Sequence, residues 1–331
     1  MSGTRILDRL DALYALGDKI GYSAEEDEAH RLARGWMEEA GLAVEVDDAG
    51  NLIGSSGESA DVWAGSHLDS VPGGGKFDGM LGVVAGLEAV ERTGRGSVVA
   101  FRDEERGCTG SRARVASGRL PRRYVELHIE QGPVLLGADL PLAVVTGIAG
   151  VARGEIVTHG HAGHAGTTPM VGRADALVAA AELILQICDA ASDIEDAVAT
   201  VGRLEVEPGA LNVIPERVVV SVDARAPDAV RFQELIDAIG LEPTYRVEPV
   251  AMSAPVRDAL RTAIGARGLP VVELASGAGH DAGILAAAGV ETGMLFVRSQ
   301  NGGISHNPDE LTSDEDISLA VDVLADAFAS L

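Results

Sequence analysis

The sequence predicts an α/β fold in which a domain with a mostly parallel central sheet, flanked by helices, is interrupted by a smaller inserted module. Short apolar runs alternate with a helical stretch, which is typical of a parallel sheet covered on its faces. The apolar runs lie at residues 61–65, 97–101 and 124–129, and the helical stretch lies at 79–92. From about residue 150 the order of elements changes to β-α-β-β-α-β, the pattern of a ferredoxin-like unit. We therefore expect one α/β domain at 1–149 and 250–331, with an inserted α+β domain at 150–249.

Two helices are predicted at the start of the chain, because Leu7, Leu10 and Leu13 recur at helical spacing and a second amphipathic stretch runs from 24 to 40. The inserted module is predicted to contain strands at 155–159, 197–204, 217–226 and 244–250 and helices at 174–189 and 228–239. After it we expect helices at 256–267 and 281–288, strands at 269–274 and 292–297, and a closing helix from Ser313.

Composition and charge restrict the class of function. The chain has 331 residues, of which 46% are hydrophobic, and a net charge of −25. Such an acidic protein repels nucleic-acid backbones and anionic lipid surfaces, so we expect small molecules or metal cations as partners. The two cysteines, Cys108 and Cys188, lie in different segments and cannot make a disulfide framework or a thiolate metal site, and they fit a reducing compartment. No run is long enough for a membrane span, and the first residues lack the basic start of a signal peptide, so we expect a soluble, cytoplasmic protein.

Four histidines lie beside small or acidic residues at predicted strand ends or in loops: His67, His128, His164 and His306. Functional groups gather at the carboxyl ends of strands in open α/β sheets, and Asp78, Glu104 and Glu105 are predicted to emerge there with His67. Imidazole and carboxylate ligands suit zinc and also accept manganese, cobalt or nickel. The alternative is that each histidine is an ordinary hydrogen-bonded loop residue.

The sequence does not match the motifs of phosphate-binding loops or of serine and cysteine hydrolases. The glycine-rich segment 72–78 lacks the first glycine and the Ser or Thr of a phosphate-binding loop. No Gly-x-Ser-x-Gly nucleophile motif occurs, and neither cysteine is directly adjacent to a histidine or basic residue that would single out a thiolate nucleophile. Serine and cysteine hydrolase chemistry is therefore not favoured.

Eight short motifs instead occur along nearly the whole chain: Gly65–Ser70, Gly74–Gly79, Phe101–Glu105, His128–Pro133, His164–Met170, Asn212–Pro215, Ser276–Ala282 and Gly303–Pro308. In type and order they resemble the M20 metallopeptidase superfamily. Within it, the chain most resembles the hydantoinase/carbamoylase branch of N-carbamoyl-L-amino-acid hydrolases, allantoate amidohydrolases and β-ureidopropionases. Taken together, these motifs are highly specific.

The resemblance implies a site for two divalent metal ions (Zn, Mn, Co or Ni) in the α/β domain. In it, Asp78 bridges the ions, His67 and His128 complete one, and Glu105 and His306 complete the other. Asp69 is implied to orient the ligands around His67. Glu104 is implied to be the general base, which takes a proton from the attacking water and returns it to the leaving nitrogen. Without the resemblance, adjacent glutamates are normally a solvated surface.

For the inserted domain, the resemblance implies a lid that also mediates dimerisation. His164 is implied to stabilise the oxyanion, in the active site of the partner subunit. Arg225 and Asn212 are implied to hold the substrate carboxylate, and Gln131 and His280 to contact the substrate. From the residues alone, Arg225 is a surface or ion-pair residue, and His280 is a packing residue at the start of a helix.

The expected protein is a homodimeric amidohydrolase that cleaves the carbamoyl C–N bond of N-carbamoyl-L-amino acids. Allantoate or ureidoglycine hydrolysis, aminoacylase or dipeptidase activity, and a catalytically silent binding protein remain alternatives. After the paired glutamates, the family continues with glycine and then Arg-Phe, whereas this chain has Arg106, Gly107 and Cys108. The N-terminal region also lacks the family's glycine-rich turn and arginine. These departures concern the substrate pocket and leave the ligands intact.

Overall fold

The computed structural model describes residues 2–58 and 60–331, which form two compact units. Unit 1 comprises residues 1–146 and 251–331, and unit 2 comprises residues 147–250. The strands are β1 (Ala43–Val46), β2 (Leu52–Ser55), β3 (Val62–His67), β4 (Ser97–Phe101), β5 (Arg123–Ile129), β6 (Leu142–Ile148), β7 (Gly150–His159), β8 (Val198–Thr200), β9 (Leu204–Glu207), β10 (Arg217–Ala226), β11 (Tyr245–Val247), β12 (Val250–Ala251), β13 (Glu273–Ser276) and β14 (Glu291–Val297).

Ten α-helices are found among the described residues: α1 (Ser2–Tyr14), α2 (Ala24–Glu39), α3 (Met80–Thr93), α4 (Thr109–Ser117), α5 (Val134–Ala138), α6 (Ala176–Asp193), α7 (Ala229–Ile239), α8 (Ala254–Gly265), α9 (Asp281–Ala287) and α10 (Asp314–Ser330). A short 3-10 turn lies at Asn301–Gly303. Within residues 2–58 and 60–331, no helix has the length and apolar character needed to cross a membrane.

The sheet of unit 1 has nine strands in the order β1-β2-β4-β3-β5-β14-β6-β12, with β13 paired to β6. Its centre is parallel, since β3 pairs in parallel with both β4 and β5, and β5 pairs in parallel with β14. The prediction of an α/β fold with a parallel-containing central sheet is therefore confirmed. Because β3, β4 and β5 run in the same direction, their carboxyl ends meet at one edge of this sheet.

Helix α3 is buried along most of its length because the sheet covers one side and α1 and α10 cover the other. Glycines let it lie close to the sheet: a Cβ atom on Gly82 would come within 2.5 Å of the carbonyl oxygen of Leu127. Leu87, Val90 and Phe328 belong to the core that results. The close packing fixes the start of α3, where the loop carrying Asp78 ends.

Unit 2 has a five-stranded antiparallel sheet in the order β11-β7-β10-β8, with β9 also paired to β10. Helices α6 and α7 pack on this sheet and bury Ile187, Val220 and Phe232. The predicted strand at 197–204 is found as two short strands, β8 and β9. They pair with different parts of β10, and Ser221 is bonded between them to the carbonyl of Arg203.

Two other predicted strands differ from the structure at prolines. The strand expected at 269–274 is found at Glu273–Ser276, after Pro270, and the strand expected at 244–250 is interrupted before β12 at Pro249. Proline has no backbone N–H to donate to a strand ladder, so each strand is displaced or broken there. The hairpin of β1 and β2, helix α4 and strand β6 had no counterpart in the sequence prediction.

Candidate metal centre

The carboxyl edge of the parallel strands brings together five of the predicted ligands in unit 1. His67 ends β3, His128 is the penultimate residue of β5, and Glu105 follows β4. Asp78 lies just before α3, and His306 lies in the loop after the 3-10 turn. The parallel direction of the strands thus gathers side chains that are distant in sequence.

Asp78 lies between two groups of potential ligands. Its Oδ1 is 3.1 Å from Nε2 of His128 and 3.6 Å from Nε2 of His67. Its Oδ2 is 3.3 Å from Nε2 of His306, and the same Nε2 is 3.4 Å from Oε2 of Glu105. Each carboxylate oxygen of Asp78 therefore faces a different group.

Two observations show that these residues fit metal ions. In each group, His67 with Asp78 and His128, and Asp78 with Glu105 and His306, the ligand atoms lie within 4.8 Å of one another. In addition, Nε2 of His128 and Oε1 of Glu105 are buried without a hydrogen-bond partner. A mixed set of imidazole nitrogens and carboxylate oxygens suits zinc and similar divalent ions.

A third group with metal-ligand character contains Glu126, His128 and His280. The carboxylate of Glu126 already accepts hydrogen bonds from the hydroxyls of Ser66 and Tyr124 and from the backbone N–H of Ala282. Because both of its oxygens are occupied in this way, Glu126 supports strand β5 rather than completing a metal site.

The electrostatics of the centre favour added positive charge. Burial lowers the pKa of His67, but the neighbouring carboxylates, Glu104 foremost, outweigh burial and hold it well above the usual value. Hydrogen bonds to Asp78 and Glu105 raise the pKa of His306 to about 10. Protonated histidines thus partly neutralise a cluster of acids, which is the role that metal cations fill in such a site.

Backbone contacts orient the two buried histidines. Nδ1 of His128 lies 2.9 Å from the carbonyl oxygen of Ile129, and Nδ1 of His67 lies 3.2 Å from the carbonyl oxygen of Asp69. In a neutral ring, Nδ1 therefore carries the hydrogen and donates a hydrogen bond to the carbonyl oxygen. The lone pair of Nε2 then points at the group around Asp78, as metal binding requires.

Asp69 connects the centre to the loop after β4. One of its carboxylate oxygens accepts the backbone N–H of Glu104 at 3.0 Å, and the other accepts that of Glu105 at 3.1 Å. Nδ1 of His67 lies 3.2 Å from the same carboxylate. Burial raises the pKa of Asp69, but the contact with His67 and the two backbone bonds lower it below its usual value.

The two adjacent glutamates face different partners. Oε2 of Glu105 faces His306, whereas Oε2 of Glu104 lies 3.8 Å from Nε2 of His67. Burial raises the pKa of Glu104 well above its usual value, against the lowering effect of His67 and with further contributions from neighbouring acids. A carboxylate with raised pKa beside a metal-capable cluster has the properties of a proton acceptor.

Two residues that the sequence reasoning missed hold the loop of Asp78. Oε1 of Glu310 accepts the backbone N–H groups of Phe77 and Asp78, and the hydroxyl of Ser305 lies 2.9 Å from Oε2 of Glu310 and 3.2 Å from Oδ2 of Asp78. Gln131, predicted to contact substrate, also donates to Oδ2 of Asp78, at 2.8 Å. In the sequence, the one feature that could have pointed to Glu310 is its position four residues after His306.

His280 packs against a predicted ligand in the structure. Its ring contacts that of His128 edge-on, with 4.4 Å between centroids, and its Nε2 lies 2.9 Å from the hydroxyl of Ser276. Burial, and then the neighbouring His128, lower its pKa well below the usual value, so the ring is neutral. These contacts fit the alternative stated from the sequence, in which His280 is a packing residue at the start of a helix.

The remaining predicted residues lie in unit 2. His164 is bridged to Val213, and the backbone N–H of Ala165 bonds to the carbonyl of Asn212, so His164 and Asn212 are neighbours. The backbone N–H of Gly166 donates to Nδ1 of exposed His164 at 3.1 Å. In the neutral ring the proton therefore resides on Nε2, which makes Nε2 a hydrogen-bond donor.

Arg225 lies at the other end of β10 from His164 and Asn212. Arg217 and Arg225 pair with opposite ends of β7, and at about 3.3 Å per residue they are roughly 26 Å apart. Arg225 forms an ion pair with Asp223, with 2.8 Å between Nε and Oδ1, as the surface alternative anticipated. The structure therefore brings His164 and Asn212 together and leaves Arg225 distant from both.

Comparisons with known proteins identify relatives of the whole chain. A family model described as peptidase family M20/M25/M40 matches residues 63–330. An N-carbamoyl-L-amino acid amidohydrolase of Geobacillus stearothermophilus is 38% identical, covering 98% of this chain and 97% of the relative. An allantoate deiminase of Arabidopsis thaliana is 32% identical, covering 87% of this chain and 74% of the relative. The crystal structure of an amidase of the hydantoinase/carbamoylase family from Burkholderia multivorans is 30% identical, with a TM-score of 0.91, covering 99% and 97% of the two chains.

Proposed function

Since this chain belongs to the peptidase family M20/M25/M40, we propose that it is a metal-dependent amidohydrolase that cleaves the ureido C–N bond of N-carbamoyl-L-amino acids. The observation that carries the proposal is the position of Asp78, which offers one oxygen to His67 and His128 and the other to His306. The name of the Geobacillus stearothermophilus relative supports the substrate class.

Two divalent ions (Zn, Mn, Co or Ni) are proposed, one held by His67, Asp78 and His128 and the other by Asp78, Glu105 and His306. When bound, such ions supply Lewis-acid chemistry that polarises a carbonyl group and lowers the pKa of water. The weak selectivity of mixed nitrogen and oxygen ligands leaves the native metal to be measured.

Glu104 is the proposed general base. Its raised pKa and its place beside His67 let it take the proton of the attacking water and return it to the leaving amino nitrogen. The C–N bond to the amino acid then breaks, and the carbamic acid that remains decomposes to ammonia and carbon dioxide. Asp69 keeps the backbone of Glu104 fixed during these proton transfers.

His164 is the proposed donor to the oxyanion of the tetrahedral intermediate. Its Nδ1 is occupied by the N–H of Gly166, so Nε2 presents the hydrogen that an oxyanion needs. Asn212 and Arg225 are proposed to contact the substrate carboxylate. Asn212 precedes β10 and Arg225 lies near the far end of that strand, so we propose that the two residues that hold one substrate come from two different subunits.

Unit 2 is accordingly proposed to be a ferredoxin-like lid that also mediates a homodimer. One side of α6 packs on the sheet through Ala180 and Ile187, while Leu185 and Val178 on the other side are 65% and 54% exposed. An apolar stripe of this kind suits a second copy of the chain. Light scattering tests this directly: L185E is expected to be monomeric and to keep its metal, and a dimeric L185E contradicts the role of this face.

Allantoate is the second candidate substrate, because several relatives are named for it. The deciding experiment measures ammonia release by manganese- or zinc-reconstituted protein on N-carbamoyl-L-amino acids and allantoate, with a chelated control. Metal-dependent ammonia from the carbamoyl substrates is expected, and the relative turnover on allantoate ranks the two candidates. Protein that holds two metal ions but releases no ammonia contradicts the proposed function and moves the search to N-acyl or peptide amides.

A further inference from the structure

Cys108 contacts the carboxylate of Glu104. It lies four residues after Glu104, directly before α4, and its Sγ is 3.7 Å from Oε1 of Glu104. In the part of the chain that the structure describes, no other group donates a hydrogen bond to this carboxylate. The thiol is thus the hydrogen-bond partner of the side chain to which the proposed function gives the proton transfer.

A tight backbone turn produces this contact. The carbonyl oxygen of Glu104 accepts the N–H groups of Gly107 and Cys108 at 2.9 and 2.8 Å. Cys108 itself has φ 55° and ψ 45°, in the left-handed region that few residues other than glycine adopt. This conformation folds position 108 back toward Glu104 and directs its side chain at the carboxylate.

The direction of the hydrogen bond follows from the chemistry of the two groups. Burial, and then the charge of Glu104, raise the pKa of the Cys108 thiol well above its usual value, so the sulfur keeps its proton. The S–H group is therefore the donor, and Oε1 the acceptor, when the Glu104 carboxylate is ionised. With Oε1 engaged, Oε2 is the oxygen that faces His67.

We propose that Cys108 is a positioning residue whose thiol holds Oε1 of Glu104 and so keeps Oε2 directed at the metal centre. Asp69 fixes the backbone of Glu104 from one side, and the thiol fixes the side chain from the other. The effect of the thiol on hydrolysis rests on the proposed function, but the hydrogen bond itself does not.

An infrared measurement tests the hydrogen bond without any activity. Cys108 and Cys188 are the two cysteines of the chain, and Cys188 is exposed, so C188A leaves a single thiol to observe. We expect the S–H stretching band of C188A to lie below that of C108A, which reports the exposed Cys188. Adding E104A to C188A should move the band back upward. Equal bands in C188A and C188A/E104A overturn the proposal, whatever the protein hydrolyses.

Kinetics of the metal-loaded enzyme test the positioning. Loss of one weak hydrogen bond to a carboxylate predicts about a three- to ten-fold lower kcat for C108A, with KM and metal content unchanged. C108S keeps a donor and is expected to lie between C108A and wild type, and C188A is the matched control. A C108A enzyme with the kcat of wild type, or a C108S enzyme no better than C108A, overturns the positioning role. Wild-type enzyme that releases no ammonia at all contradicts the proposed function instead.

Discussion

Replacing Asp69 with asparagine is expected to weaken metal binding while leaving every predicted ligand in place. The two oxygens of Asp69 accept separate backbone N–H groups, those of Glu104 and Glu105. An asparagine offers one oxygen and one NH₂ group, so in either orientation one backbone N–H faces another donor. His67 also loses the charged partner of its Nδ1.

The size of the effect follows from these contacts. One charge-assisted hydrogen bond is lost outright, which predicts that the D69N protein is less stable by about 2–3 kcal/mol. Groups that orient metal ligands typically change metal affinity by 10- to 100-fold, so we expect D69N to bind metal more weakly by roughly 1.4–2.7 kcal/mol. The loss of metal affinity in D69N should be larger than the loss caused by removing one negative charge from the surface.

A chelator-competition titration measures the metal affinity, and denaturant unfolding of the metal-free protein measures the stability. D309N is the matched control, because Asp309 is exposed in the loop after His306 and its removal takes away the same charge. If D69N binds metal as tightly as D309N and wild type, Asp69 does not orient the centre and the reasoning is refuted.

Three further predictions test other parts of the site. E104Q should retain both metal ions but lose about 10²- to 10⁴-fold in kcat, because the amide cannot accept the proton; full activity with bound metal would show that another group is the base. E310A leaves the N–H groups of Phe77 and Asp78 without an acceptor, so unfolding titrations should show a loss of about 2–4 kcal/mol, and an unchanged midpoint contradicts the role of Glu310. Burial raises the pKa of Asp281 from 3.8 to about 8; the folded state therefore holds more protons than the unfolded state between these values, and its stability falls as pH rises through this window. D281N lacks this fall, so its melting temperature should gain on wild type between pH 5 and pH 8, and parallel melting curves contradict the assignment.

The sequence predicted correctly those strands and helices that a local pattern of apolar residues or a short motif identifies. The buried runs of β3, β4 and β5, and the motifs that contain His67, Glu105 and His128, identify both the sheet and its functional edge. The predicted roles at this edge still await the experiments above. Glu310 and Cys108 were not predicted, because their significance comes from contacts made only after folding: one reaches the Asp78 loop and the other a neighbouring carboxylate.

The errors of the sequence prediction have local physical causes. Pro249 and Pro270 interrupt strands that their apolar neighbours suggested. The resemblance to the M20 superfamily implies that Asn212 and Arg225 hold one substrate carboxylate, and this assignment stays a prediction. The length of β10 separates them within one subunit, a distance that residue types alone do not encode.

The candidate metal centre is built from two segments of the chain, one before unit 2 and one after it in sequence. Ser305, next to His306, contacts Asp78 across 227 residues of sequence. The proposed ion between Asp78 and His306 would join parts of the chain separated by a similar length. Because the unfolded chain does not hold these ligands together, such an ion would stabilise the folded state by its binding free energy rather than by restricting the unfolded chain. During synthesis the ribosome must complete unit 2 before His306 emerges, so the nascent chain could acquire this link only late.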